Sequence, residues 1–238
     1  MTACRTFSIT TGVITAGLLL GACGIGFGGD RTTEDRDVDG LAEVTAVSLE
    51  TSGDLVIELG EETSLTVTAG DRVMDRLTSE VRDGVLVLGS NDGVNVTGDI
   101  DYQLVLSALD AIRVLGSGDV EAGAATAESL TVEVRGSGDV TVHDVDVEAL
   151  EVEIEGSGNV ELSGVALRQV TTIRGSGGFD GSSLESEDAV VVLEGSGDAE
   201  VDVSDALSAT IRGSGDLTYT GGAQVSADVE GSGEVREG

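Results

Sequence analysis

Apolar and polar residues alternate with a period of two through most of the chain after Leu41. Side chains two residues apart point to the same face of a β-strand, so this pattern predicts strands. In the first half of the chain the strand candidates are residues 55–59, 65–68, 85–88 and 102–106. Residues 71–80 differ, because Val73 and Leu77 have helical spacing and predict one or two helical turns.

The second half of the chain is organised around one repeated tripeptide. Gly-Ser-Gly begins at Gly116, Gly136, Gly156, Gly175, Gly195, Gly213 and Gly231, at intervals of 18 to 20 residues. Residues 52–55, Ser-Gly-Asp-Leu, look like a degenerate copy of the same motif. So regular a period is typical of stacked repeats, in which each unit buries its apolar face against its neighbours.

Aligning the copies on their first glycine gives columns of like residues. Apolar residues stand two, four and six positions before this glycine in most copies, and four and six positions after it. Each copy therefore predicts a strand, a turn and a strand, with the apolar columns inside. We predict an all-β fold, a parallel β-helix (β-solenoid) with about 18–20 residues per coil. An antiparallel β-sandwich is the alternative, which we weight lower because hairpin turns rarely repeat one tetrapeptide seven times.

The residue before each Gly-Ser-Gly alternates in charge. Along the chain this column reads Leu115, Arg135, Glu155, Arg174, Glu194, Arg212 and Glu230. If the coils stack in register, each arginine lies between glutamates of the neighbouring coils. Isolated surface ion pairs add little stability. We expect the column to fix the register instead, because a slip by one coil would place like charges together.

The residue after each Gly-Ser-Gly is usually acidic. This column reads Asp119, Asp139, Asn159, Gly178, Asp198, Asp216 and Glu234. One hypothesis is a row of Ca²⁺ sites in a calcium-stabilised surface scaffold, because stacked oxygens suit a hard cation. The other hypothesis is a solvated turn in which each aspartate bonds its own backbone. We favour the turn, because the spacing of the calcium-binding nonapeptide repeat is not matched.

Charge and composition narrow the classes of function. The formal net charge is −33, which would repel nucleic-acid phosphates, so we expect no nucleic-acid partner. His143 is the only histidine, and the chain has no Gly-x-Ser-x-Gly motif. We therefore assign no catalytic, cofactor-binding or metal-binding residue and predict a protein that is not an enzyme. Abundant carboxylates leave a secreted polysaccharide-active β-helix enzyme as the alternative.

The N-terminus predicts export and lipidation. Residues 1–22 have the features of a signal peptide: Arg5, an apolar segment, and then Leu20-Gly21-Ala22 before Cys23. This ending resembles a bacterial lipobox, in which the cysteine becomes the lipidated first residue. Residues 23–40 follow as the lipidated Cys23 and a flexible acidic tether, and residues 41–238 as the folded domain. Cys4 would leave with the signal peptide, so we expect no disulfide.

The repeats resemble the putative auto-transporter adhesin, head GIN domain family. The resemblance is carried by apolar alternating strands followed by Gly-Ser-Gly-Asp and Val or Leu, best over residues 109–235 and more loosely over 41–238. It implies a right-handed parallel β-helix and an adhesion or surface-binding role without known catalytic residues. No functional residue carries over, because the shared motif is structural.

Together these observations predict a cell-surface lipoprotein with a head GIN-like β-solenoid domain. We expect it to be anchored through Cys23 to the outer face of the bacterial cell membrane and to bind a protein or glycan ligand. We also expect the last coil to need a cap or a partner, so that a homo-oligomer formed through an end or a face is a further hypothesis.

Overall fold

The computed structural model describes residues 31–91 and 98–238. The described chain is nearly all β-structure, and one curled sheet forms a β-solenoid of about 6 turns. The predicted solenoid is therefore confirmed, and the β-sandwich does not form. The predicted signal peptide, Cys23 and the first part of the tether lie outside the described residues.

Within residues 31–91 and 98–238, seventeen strands and two short helical segments follow one another. The strands are β1 (Arg31–Asp35), β2 (Ala46–Leu49), β3 (Asp54–Leu59), β4 (Ser64–Gly70), β5 (Leu77–Arg82), β6 (Val85–Ser90), β7 (Ile100–Leu106), β8 (Ala111–Val114), β9 (Val120–Ala122), β10 (Ala125–Val134), β11 (Val140–Gly156), β12 (Val160–Gly175), β13 (Phe179–Gly195), β14 (Ala199–Gly213), β15 (Leu217–Thr220), β16 (Gln224–Gly231) and β17 (Val235–Glu237). The helical segments are a 3₁₀ turn at Leu41–Glu43 and α1 at Asp71–Met74. None of the helices in these residues is long and apolar enough to cross a membrane.

Each coil contributes one strand segment before its Gly-Ser-Gly turn and one after it. The segments before the turns pair in parallel in the order β2, β8, β10, β11, β12, β13, β14, β16, which we call the first side of the solenoid. The segments after the turns pair in the order β3, β9, β11, β12, β13, β14, β15, β17, the second side. Strands β11 to β14 are long because each begins on the second side and continues onto the first side of the next coil.

The N-terminal end of the solenoid is closed by antiparallel strands. On the first side, β6 pairs with β2 and β5 folds back on β6; on the second side, β7 pairs with β3, and β4 and β1 follow. The four predicted strands of this half are confirmed as β3, β4, β6 and β7. The predicted helix is confirmed for one turn, α1. It ends there because Leu77 enters the hairpin with β6.

Two details of this end refine the sequence predictions. The degenerate motif copy is part of the first coil, because Leu55 pairs with Val120 and Ile57 with Ala122. The tether, predicted to extend to residue 40, is shorter than expected. Residues Arg31–Asp35 form β1, whose Thr33 lies opposite Thr68 of β4.

The core is a stack of aliphatic columns, as the alignment predicts. Val132, Val152, Val191 and Ala209, four positions before their turns, are all at most 2% exposed. One coil departs from this pattern, because buried Gln169 and Thr171 occupy two inward positions. The Gln169 amide nitrogen donates to Thr171 Oγ1 over 2.9 Å, and Ser186 Oγ donates to Gln169 Oε1 over 3.1 Å. These bonds let a polar group occupy an otherwise apolar interior.

The turns stack so closely that side chains are excluded at both glycines. A Cβ atom on Gly136 would lie 2.0 Å from the carbonyl oxygen of Gly116, and one on Gly138 would lie 2.0 Å from that of Gly118. The amide of Ser157 donates to the carbonyl of Gly136 over 3.0 Å, and the same bond recurs between later coils. The repeated tripeptide is thus the corner at which successive coils touch backbone to backbone.

Candidate binding face

The predicted alternation of charge is present as a stacked ladder of ion pairs. Glu155, Arg174, Glu194, Arg212 and Glu230 lie opposite one another in successive coils. Arg174 Nη1 lies 3.1 Å from Glu155 Oε1, and Arg174 Nε lies 3.4 Å from Glu194 Oε2. Arg212 Nη1 approaches Glu194 Oε1 to 3.1 Å, and Arg135 Nε approaches Glu155 Oε2 to 3.1 Å. We call this column the charge ladder.

A second column, which the sequence analysis missed, joins the charge ladder at its N-terminal end. Arg113, Glu133 and Glu153 stand three residues before successive turns and lie opposite one another. Glu133 is only 10% exposed in its side chain and binds both Arg113 and Arg135. Glu153 binds Arg174. Reading the sequence three positions before each Gly-Ser-Gly would have shown this column.

The glutamates of these two columns raise the pKa of Arg174, the arginine between them. Hydrogen bonds to Glu153, and to a smaller extent to Glu155, raise the pKa of Arg174, and burial opposes them. Because carboxylates stabilise the charged guanidinium, Arg174 stays a cation at every physiological pH. The positive charge at the centre of the charge ladder is therefore permanent.

A charge reversal in the ladder should destabilise the protein more than a reversal elsewhere. Arg174 contacts Glu153, Glu155 and Glu194, whereas Arg168 only approaches Glu148 at 4.0 Å. We expect Arg174→Glu to lower the Tm by about 3–6 °C and Arg168→Glu by less. Thermal melts at low and high salt would measure both, and the difference should narrow in high salt. Equal shifts for the two variants would contradict a register-fixing ladder.

Exposed valines lie beside the charge ladder on the same side of the solenoid. Val170 of β12 and Val190 of β13 are each 42% exposed and lie opposite each other in adjacent coils. We call this pair the valine patch. We call the outward side chains of the first side, ladder and patch included, the ladder face. It combines apolar surface with charges that largely compensate one another.

The opposite side of the solenoid is acidic in its central coils. Its central outward column contains Glu161, Asp180 and Glu200 in three successive coils. Within the described part of the chain, none of these three carboxylates is ion-paired with an arginine. His143 also lies on this side, exposed, with Nε2 3.9 Å from Glu121 Oε1. We call this surface the acidic face, and any approaching anion would meet repulsion there.

The aspartate column has a structural role that differs from the predicted one. Asp119 Oδ1 accepts the amide N–H of Asp139 over 2.8 Å, and Asp139 Oδ1 accepts that of Asn159 over 2.7 Å. Asp198 and Asp216 make the same bond to the next coil. Each side chain thus bonds the following coil and not its own turn, because stacking places the next amide directly above it. In the described residues no group of three or more His, Cys, Asp or Glu side chains is arranged to hold a metal ion.

Comparison with known proteins agrees with this architecture. The family model of the putative auto-transporter adhesin, head GIN domain matches residues 43–223. A comparison with curated proteins found no match.

Several solved structures share the fold. A putative adhesin from Bacteroides fragilis aligns with a TM-score of 0.81 at 22% identity, over 87% of this chain and 97% of the other. A putative lipid binding protein from Parabacteroides distasonis aligns with a TM-score of 0.74 at 20% identity, over 88% and 97% of the two chains. A putative adhesin from Parabacteroides merdae gives 0.69 at 20% identity, over 88% and 97%. At these identities the likeness concerns the fold. The family match covers most of the chain, and the protein belongs to the putative auto-transporter adhesin, head GIN domain family.

Proposed function

We propose that this protein is a non-catalytic adhesin whose ladder face binds a protein or glycan on another surface. Its family is named for adhesion, which supports the role in general terms. The observation that carries the choice of face is the valine patch, two adjacent β-branched side chains that are each 42% exposed. Apolar groups that stay in water in the free protein gain free energy when a partner covers them.

Electrostatics favour the same face over the opposite one. The net charge of −33 repels any anionic partner at long range. On the ladder face, arginines of one coil neutralise glutamates of the next, so a partner that contacts this face meets the weakest repulsion. The acidic face offers no such compensation in its central coils. A neutral or weakly charged ligand therefore fits the ladder face better.

Two matched substitutions test the choice of face. Val190 on the ladder face and Thr141 on the acidic face are both outward, β-branched strand residues. On an array of glycans and surface proteins, the full chain should bind a ligand that Val190→Glu binds about tenfold or more weakly. Thr141→Glu should bind it within about twofold of the unchanged protein. Loss of binding in Thr141→Glu with retention in Val190→Glu would contradict the proposal, provided that both variants keep their Tm.

We further propose that a lipid on Cys23 holds the protein at the outer face of the cell membrane. The support is the sequence Leu20-Gly21-Ala22-Cys23 after an apolar segment. A diacylated cysteine binds a bilayer firmly, whereas a single chain does not. Cys23→Ser should move the protein from the membrane fraction to the medium and abolish incorporation of labelled fatty acid. Unchanged membrane retention in that variant would contradict the lipid anchor.

A further inference from the structure

The two ends of the solenoid differ in how their last strands are covered. At the N-terminal end, antiparallel strands continue both sides and close the core. At the other end, β16 pairs with β14 and all eight of its residues are exposed. An open strand edge is a template for pairing with another chain.

The inward residues of β16 continue the core columns without a coil to cover them. Val225, Ala227 and Val229 lie opposite Leu207, Ala209 and Ile211 of β14. The three β14 residues are at most 2% exposed, whereas Val225 is 37% and Val229 is 41% exposed. A further strand paired with β16 would bury Val225, Ala227 and Val229, just as the inner coils bury the residues of the same columns.

The sequence of β16 is complementary to itself when it runs antiparallel to a second copy. With Ala227 opposite Ala227 of the other copy, Val225 lies opposite Val229 and all inward residues stay on the core side. On the outward side Ser226 lies opposite Asp228 and Gln224 opposite Glu230. These are pairs of a donor with a carboxylate, and no like charges meet.

The neighbouring registers are poorer. Centring the pair on Asp228 places two aspartates opposite each other, and centring it on Val229 places Asp228 opposite Glu230. Centring it on Ser226 brings no like charges together but places Val225 opposite Ala227, so the valines of the two strands no longer meet. A shift that leaves Ala227 opposite an even-numbered residue sends inward side chains to the outer surface. Only pairing about Ala227 brings both valines of each strand into contact with those of the other.

We propose that a second copy of this chain docks on β16, so that two solenoids join end to end by antiparallel β16–β16 pairing about Ala227. The interface is isologous and closes as a dimer. One pair of eight-residue strands makes a small interface, so the dimer is a reversible one. Because both partners are strongly acidic, salt strengthens it by screening their repulsion.

Cysteine cross-linking tests the pairing and its register in the full chain with Cys4 and Cys23 replaced by serine. In that background Ala227→Cys places two thiols across the symmetry axis, within reach of a disulfide. Ser208→Cys, exposed but one coil inside the end, is the matched control. Under mild oxidation Ala227→Cys should form a covalent dimer about tenfold faster or more than Ser208→Cys and Val225→Cys. Equal rates would overturn the proposal, and faster reaction of Val225→Cys would overturn the register.

Sedimentation of the same background without added cysteines gives a second, independent test. The 24.0 kDa chain should shift towards twice its mass as NaCl rises to about 0.5 M. Ala227→Glu, which sets two carboxylates face to face, should abolish that shift, and Ser208→Glu should leave it. A chain that stays monomeric at every salt concentration, or an Ala227→Glu variant that still dimerises, would show that β16 is free or awaits a different partner.

Discussion

A Gly177→Ala substitution is expected to lower the Tm by about 5–10 °C, an effect out of proportion to a single methyl group. Its Cβ would lie 2.1 Å from the carbonyl oxygen of Gly158 and 2.8 Å from Cγ2 of Ile173. The first contact is with backbone, which cannot rotate away. To make room, the coils must separate at the corner where the amide of Gly177 donates to the carbonyl of Gly156 over 3.2 Å.

Gly123→Ala is the matched control, because a Cβ on Gly123 meets nothing within 4 Å. It should leave the Tm within about 2 °C of the unchanged protein. Neither glycine has a backbone conformation that a side chain would strain, so the comparison isolates the close approach of coils. A Gly177→Ala protein as stable as the Gly123→Ala protein would contradict the stacking of the turns.

The second large effect is expected inside the solenoid, where one coil carries polar residues in apolar columns. Gln169→Leu should lower the Tm by about 3–8 °C, although leucine occupies the same column at Leu150. The reason is that Thr171 Oγ1 and Ser186 Oγ would each lose the Gln169 group that they now bond. A buried polar atom without a partner costs about 1–3 kcal/mol.

Adding Thr171→Val to Gln169→Leu should recover about half of that loss, because it removes one of the two hydroxyls that lose a partner and leaves Ser186 Oγ without one. Val152 and Val191 already flank Thr171 in its column, so valine fits the stack. Thermal melts of the single and double variants form a double-mutant cycle. If the double variant is no more stable than Gln169→Leu alone, the hydrogen bonds are not the cause of the loss.

The repeat region could be predicted closely from the sequence because its period leaves little freedom. The inward columns, the turn at Gly-Ser-Gly and the pairing of Arg174 with Glu155 and Glu194 all follow once coils of similar length are stacked in register. The contact of Arg174 with Glu153 was not predicted, because Glu153 stands in a different outward column. The polar pair Gln169 and Thr171 was not predicted, because an outward-inward pattern cannot show that two polar side chains satisfy each other.

The first half of the domain and the ladder face were harder to predict from the sequence. The chain before Gly116 lacks the repeated tripeptide, so the sequence could not show that β3 runs parallel to β7 while β4 runs antiparallel to it. Strand β1 lies where the sequence predicts tether, because its polar residues give no inward pattern. The aspartate bonds to the following coil depend on the exact height of neighbouring turns. The valine patch emerged only when the structure placed Val170 and Val190 side by side.

We propose that the ladder face, and not the repeated turn or the acidic face, is the binding surface. The most direct test is adhesion of a non-adherent bacterium that displays the full chain, measured for Val190→Glu and Thr141→Glu at matched surface amounts. We predict that Val190→Glu cells lose most of the adhesion conferred by the unchanged protein and that Thr141→Glu cells keep it. Full adhesion by Val190→Glu cells would contradict the claim.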